Sequence, residues 1–138
     1  MSATTIQSIR PTTLGLGRTR ALGVAGAVLA AVAVWAVAAP ILGISLLIRF
    51  GTSAPQGVGL PAVAGGSLVL SLLGLGLLVA LEKLTVRART IWTIVALAAL
   101  ALSLGLPLVA ATTQATMVVL TLMHISAAAV LIPALRRR

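Results

Sequence analysis

The 138-residue chain is 60% hydrophobic and only 8% charged, with a mean hydropathy of +1.22, so it has too few charges to cover the surface of a water-soluble domain. Its net charge of +9 comes from ten Lys and Arg against one Glu, and it contains no Cys, which excludes thiol relays, iron–sulfur clusters and disulfide scaffolds. The cations stand in short groups between long apolar runs, a layout typical of membrane-flanking segments and not of nucleic-acid binding.

The first membrane span is predicted over residues 21–39. Residues 1–20 before it are basic, rich in Thr and Gly and without hydrophobic periodicity, which predicts a flexible cytoplasmic tail. The span itself would be about 28 Å long, close to the thickness of the bilayer hydrocarbon. Pro40 then interrupts it, and Ile41–Ile48 either continues the helix past a kink or lies along the outer interface.

Three further spans are predicted over residues 60–81, 91–111 and 115–135. The second span is the most strongly apolar, since twelve of its residues are Leu or Val. Gly105 and Pro107 weaken the outer end of the third span. The composition of Gly51–Gly59 predicts a loop, and residues 136–138 form a basic end. The expected fold is an all-α, integral membrane four-helix bundle in one transmembrane domain, residues 21–135.

The distribution of Lys and Arg predicts the orientation. The tail, the connection Glu82–Thr90 and the C-terminus each hold three, whereas only Arg49 lies on the other side. Positive charge is retained in the cytoplasm, so we expect both termini there and the chain in the plasma membrane. A cleaved signal peptide is the alternative, because an apolar run follows Arg20, but that run exceeds the usual length of about 7–15 residues.

His124, the only histidine, lies near the centre of the fourth span. It shares a helix face with Met117, Thr121 and Ala128, and ionisable groups at that depth face the bundle or a cavity. One interpretation is a proton or ligand site formed with Thr121, Ser71 and Ser103, because histidine exchanges protons near neutral pH. The other is a neutral ring that forms a hydrogen bond across helices. Its partner would be Ser71 or Ser103, both near mid-depth.

Glu82, the only carboxylate side chain, is expected to form an interfacial ion pair with Lys83, or with Arg89 across the connection. A coupling carboxylate is the alternative. Arg136, Arg137 and Arg138 could bind anionic lipid headgroups or serve only as a topology signal. The sequence has no Ser-His-Asp set, metal cluster or paired carboxylates, so no enzyme activity, cofactor or metal is expected.

Small residues recur at helical spacing within the spans. Each set places small side chains on one helix face: Gly26 and Ala30; Ser67, Ser71 and Gly74; Ala96, Ala99 and Ser103. Such faces let helices approach closely in lipid. They indicate an uncharacterised, non-enzymatic membrane protein that acts as a partner subunit or homo-oligomer, with a small transporter or ligand-binding protein as the alternative. Trp35 and Trp92, near span ends, are expected to anchor the chain at the interface.

Several segments of the chain carry a family resemblance. The clearest is LMHISAAAVLIPALRRR (Leu122–Arg138). The supporting segments are AVWAVAAPIL (Ala33–Leu42), QGVG (Gln56–Gly59), Leu81-Glu82 and RTIWTIVA (Arg89–Ala96). Through them, nearly the whole chain resembles a family of small actinobacterial membrane proteins of unknown function. Members often carry an acidic residue where Ser45 stands here, so no outer carboxylate role transfers to this chain. The resemblance implies four helices and supplies no activity or catalytic residue.

Overall fold

The computed structural model describes residues 13–136. Its elements in chain order are α1 (Thr13–Ala36), a π-helical turn (Val37–Ile41), β1 (Leu47–Ile48), β2 (Gln56–Gly57), α2 (Leu60–Leu84), α3 (Ala88–Ser103), α4 (Gly105–Ala110) and α5 (Gln114–Arg136). Four segments are long and apolar enough to cross a membrane: Gly15–Ile41, Leu60–Leu84, Ala88–Ala110 and Gln114–Arg136. The expectation of four such helices is confirmed, and they suggest a membrane protein.

The first helix begins earlier than the sequence predicts. Residues 13–20, expected to belong to a flexible tail, form the first turns of α1. Once a helix exists, each added residue gains a hydrogen bond at little cost, and an ion pair made by Arg20 holds this segment against α2. The rest of the expected tail, residues 1–12, lies outside the described residues.

Pro40 changes the helix geometry without ending the helix at once. Its ring carries no amide N–H, so the normal hydrogen bond to the preceding turn cannot form. The backbone widens to π-helical spacing, in which the amide of Leu42 donates to the carbonyl of Val37 at 3.0 Å. Gly43 follows with a φ of +66°, a conformation that glycine adopts without steric cost and that commonly ends helices.

A small antiparallel hairpin follows, where the sequence offered a continued helix or an interfacial stretch for Ile41–Ile48. The helix stops at Ile41, and β1 pairs with β2 so that Leu47 faces Gly57 and Ile48 faces Gln56. The strictly all-α expectation is therefore wrong in this one detail. Two-residue strands carry no readable alternation, so periodicity could not have found them.

The third membrane-length segment is interrupted, as Gly105 and Pro107 predicted. Leu104 separates α3 from α4, and Pro107 cannot donate a hydrogen bond back into the preceding turn. The carbonyl of Pro107 instead accepts the amide of Ala111 at 3.2 Å, which closes the last turn of α4. The segment still covers 23 residues, or about 34 Å at 1.5 Å per residue.

The helices pack as a four-membered ring. α1 packs against α5 and α2, and α3 packs against α2 and α5 on the opposite side. At one end, here called the hairpin end, the hairpin bonds to the helices: Arg49 N donates to Ala110 O at 2.8 Å and Thr112 Oγ1 to Leu47 O at 3.1 Å. The other end, here called the basic end, holds the start of α1, the α2–α3 connection and the end of α5.

Each end of the bundle has its own buried cluster. The hairpin-end core contains Ala31, Ala38, Leu46, Val63, Val119 and Met123, and the basic-end core contains Leu78, Trp92 and Leu135. Most of the remaining large apolar side chains on the helices are exposed. Exposing that much apolar surface to water is energetically unfavourable, whereas contact of the same surface with lipid is not.

The expectation that Trp92 anchors the chain at the interface is wrong. The ring is 2% exposed and belongs to the basic-end core, where Nε1 donates to the carbonyl oxygen of Gly74 at 2.6 Å. A helical carbonyl oxygen has a second lone pair that can accept such a donor. Trp35 is half-buried, and its Nε1 donates to Val58 O at 2.8 Å, so it joins α1 to the segment leading into α2.

Candidate functional site

Glu82 is the centre of a polar network at the basic end. The Nη2 of Arg20 donates to both carboxylate oxygens at 2.6 Å, and the Nη2 of Arg89 lies 3.5 Å from Oε1. The Nη1 of Arg89 also donates to the backbone oxygen of Arg136 at 2.9 Å. We call these residues the Glu82 network. It joins the basic ends of all four membrane-length segments, because its members come from α1, α2, α3 and α5.

The expected pairing of Glu82 with Lys83 is wrong. Adjacent residues on a helix point about 100° apart, so their side chains do not face each other. Arg89, the other partner considered, is present at the longer distance, while the closer partner is Arg20. The sequence did contain a signal for Arg20: it directly precedes the first predicted span and Glu82 directly follows the second, so two antiparallel neighbouring spans bring both residues to the same end.

The surroundings make the Glu82 network more than a surface ion pair. The side chains of Arg20 and Glu82 are only 14% and 28% exposed, and the buried Nε of Arg20 has no hydrogen-bond partner in the part of the chain that the structure describes. A fully exposed pair contributes about 0–1 kcal/mol. Removing one partner from a shielded pair costs more, because the other charge stays partly desolvated. The Glu82 carboxylate therefore pairs with two arginines, Arg20 and Arg89, whose side chains are partly shielded from water.

His124 lies at the middle of α5 and is half-buried. Its Nδ1 is 2.7 Å from the carbonyl oxygen of Leu120, one turn earlier in the same helix. A carbonyl oxygen can only accept, so Nδ1 carries the proton, and in the neutral ring Nε2 keeps a free lone pair. Leu131 and Leu135 follow on the same helix face and pack in the basic-end core, so His124 continues a face turned towards the bundle.

The structure does not connect His124 to the residues predicted beside it. Ser71 is 3% exposed, and among the described residues neither it nor Thr121 hydrogen-bonds to the ring. Ser103 donates to Leu100 O within its own helix at 2.8 Å. Among the described residues the ring bonds instead to a carbonyl of its own helix, so the expected interhelical bond is wrong. The proton or ligand site stays a prediction.

Two glycines of α1 lie where α1 and α5 approach each other closely. A Cβ built on Gly23 would lie 2.7 Å from the Cβ of Ala134, and one on Gly26 would lie 3.0 Å from Cγ1 of Val130. These contacts join α1 to α5, the most extensive helix pair in the fold. The sequence singled out Gly26 as a packing position but not Gly23, which lies about one turn earlier on the same face.

The remaining candidate groups are less organised. The side chain of Arg136 is exposed and its backbone oxygen belongs to the Glu82 network, while Arg137 and Arg138 lie outside the described residues. Among residues 13–136, no three His, Cys, Asp or Glu side chains lie close enough together to hold a metal ion. Lipid binding by the arginine triplet stays a prediction.

The family model of DUF6069, described as a family of unknown function, matches residues 11–138. The chain therefore belongs to this family. No curated protein and no solved structure matches it. The match agrees with the expected resemblance to a family of unknown function, and it leaves the function to be argued from the chain itself.

Proposed function

We propose that this member of the DUF6069 family is a multi-pass plasma-membrane protein that acts without enzymatic chemistry, as a homo-oligomer or as the partner subunit of another membrane protein. The proposal is carried by one observation: three glycines of α2 face away from the bundle. A Cβ built on Gly65, Gly66 or Gly76 meets nothing within 4 Å. A glycine offers lipid chains little surface for van der Waals contact. It does let the backbone of a second helix approach the backbone of α2 closely.

The open glycines belong to a continuous exposed surface. Gly65, Val69, Leu72 and Gly76 follow each other at helical spacing and are all exposed, so they lie on one side of α2. We call them the open α2 face. Apolar residues on it provide van der Waals contact, and glycines at both ends let the backbones approach. Such a surface has the chemistry of a helix–helix interface in a membrane.

Single-cysteine crosslinking should detect this interface, since the chain has no other Cys. We expect the Gly76→Cys variant, oxidised in native membranes, to give a discrete crosslinked species, because a disulfide needs Cα atoms within about 7 Å. Leu102→Cys is the matched control, since Leu102 is 79% exposed on α3. Monomeric Gly76→Cys, or equal crosslinking of both variants, would contradict the open α2 face as the interface.

The proposed orientation places both termini in the cytoplasm. It is supported by the charge asymmetry: in the described residues the basic end carries Arg18, Arg20, Lys83, Arg87, Arg89 and Arg136, and the hairpin end carries Arg49. Alkaline phosphatase fused to either terminus should be inactive, and fused after Thr52 it should be active. An active terminal fusion would overturn the orientation.

A small transporter or ligand-binding protein is the second candidate. It is favoured by His124, which lies at the middle of α5 and whose Nε2 has no hydrogen-bond partner among residues 13–136; ionisable groups in the middle of a membrane span are rare and usually functional. In proteoliposomes carrying a pH-sensitive dye, we expect His124→Leu to abolish proton flux that the unsubstituted protein shows. Ser103→Ala is the matched control, because its hydroxyl bonds within its own helix. Equal flux with and without His124 would remove this candidate.

A further inference from the structure

The connection between α2 and α3 forms a small open cavity at the basic end. Its volume is about 370 Å³, and its lining residues are Glu82, Thr85, Val86, Arg87, Ala88, Arg89 and Thr90. Both flanking segments have membrane-spanning length, so the cavity lies where the hydrocarbon of a bilayer gives way to headgroups. The hydroxyl of Thr85 accepts the amide of Arg87 at 3.2 Å, which holds the turn in shape.

Among residues 13–136, positive charge at this cavity exceeds negative charge. Glu82 supplies the one carboxylate side chain in that part of the chain, and Arg20 and Arg89 already contact it. Arg87 lines the cavity and Lys83 stands one residue after Glu82. Within residues 13–136, neither of these two side chains makes an ion pair or a hydrogen bond. The cavity therefore offers the exposed cation of Arg87 to an anion that comes from outside the protein, and the neighbouring side chains of Arg20, Glu82 and Arg89 together carry one net positive charge.

Two apolar side chains next to these cations are also exposed. Leu84 is 80% exposed and Val86 is fully exposed at 103%, and Val86 lines the same cavity. A soluble anion such as inorganic phosphate or a nucleic acid gains nothing from them. A phospholipid has both complementary parts, because its phosphate lies next to its acyl chains. The combination of apolar and basic side chains distinguishes this turn from a solvated charged loop.

We propose that this cavity is a binding site for the headgroup of an anionic phospholipid. The phosphate lies against Arg87, with Arg89 behind it, and Leu84 and Val86 contact the upper part of the acyl chains. The residues that line this cavity are not those of the arginine triplet or of the open α2 face, so the proposal does not depend on the protein's oligomeric state. It requires only that the four apolar helices lie in a bilayer.

Native mass spectrometry of the full-length protein in mild detergent, titrated with phosphatidylglycerol or phosphatidylcholine, tests the proposal. We expect tighter binding of the first phosphatidylglycerol, and about a fivefold increase in its Kd for Arg87→Gln, the effect of one cation near an anionic surface. Arg49→Gln removes the same charge from the exposed hairpin end and should leave the Kd unchanged. Val86→Ser should also weaken binding, because the acyl contact is lost.

Three results would overturn the site. If Arg87→Gln and Arg49→Gln weakened phosphatidylglycerol binding equally, only the total charge of the protein would determine the affinity. Loss of phosphatidylglycerol selectivity in a variant with glutamine at residues 136–138, together with unchanged binding by Arg87→Gln, would assign the lipid to the arginine triplet. Displacement of the lipid by an equal concentration of inorganic phosphate would identify a phosphate site without lipid specificity. Unchanged helicity and a single chromatographic peak for each variant exclude misfolding as the cause.

Discussion

Replacing Glu82 with glutamine should lower the free energy of unfolding by about 2 kcal/mol, a value between those of exposed and fully buried ion pairs. The reason is that Arg20 and Arg89 would lose the one carboxylate that contacts them within residues 13–136, while the Arg20 side chain is only 14% exposed. Two like charges would then remain close together at the basic end. We expect a fall of several degrees in the Tm of the detergent-solubilised protein, followed by tryptophan fluorescence.

Lys83→Gln is the matched control for Glu82→Gln. It removes a neighbouring charge that forms no ion pair among the described residues, and surface substitutions of this kind usually change stability by less than about 0.5 kcal/mol. A double-mutant cycle of Arg20→Gln with Glu82→Gln should show coupling, because each change removes the same contact. Additive effects, or a Tm for Glu82→Gln equal to that of Lys83→Gln, would show that the Glu82 network does not stabilise the bundle.

Replacing Gly23 with leucine should destabilise the bundle by about 3 kcal/mol or more, the upper range for overpacked cores. Even the first added carbon would lie 2.7 Å from the Cβ of Ala134, whereas carbon atoms in favourable contact are about 3.5–4.0 Å apart. The opposing atom belongs to a short side chain next to the backbone, so it cannot rotate away. Helices α1 and α5 would have to separate along their shared face.

A series of glycine-to-alanine variants separates this steric effect from helix propensity. Gly23→Ala should lower the Tm most and Gly26→Ala less, because the atom that Gly26 would meet is a terminal methyl of Val130 at 3.0 Å. Gly17→Ala, in the same helix, should not lower the Tm, since nothing lies within 4 Å of the added carbon and alanine favours the helix. If all three changes had the same effect, close packing of α1 on α5 would not be the cause.

The two ends of the bundle are held together by different chemistry. At the hairpin end, backbone groups and short hydroxyls make the contacts, including the bond from Thr116 Oγ1 to Ser45 O at 3.3 Å. At the basic end, charged side chains converge on one carboxylate. A family member with an acidic residue at position 45 would add a charge at the hairpin end, where Ser45 here contributes its backbone oxygen.

The sequence by itself determined the number and approximate bounds of the membrane-length helices. Long apolar runs, interrupted by proline, glycine and charge, reflect a local requirement: a backbone in lipid must satisfy its own hydrogen bonds, and a helix does so within one segment. The interruption at Gly105 and Pro107 was visible for the same reason. Apolar runs cannot show where a helix end extends into polar residues, and α1 therefore begins at Thr13 instead of residue 21.

Only the tertiary structure decided which side chains meet. Glu82 and Arg20 are 62 positions apart, and a single sequence specifies the faces of each helix but not the rotation of one helix against another. The same limit explains why the sequence did not predict that Trp92 lies in the core, that His124 bonds to its own helix, or that Gly23 lies against Ala134 of α5. In a membrane protein, the helix faces that contact lipid and the faces that contact other helices are both apolar. Individual steric and polar contacts therefore decide how the helices pack against each other.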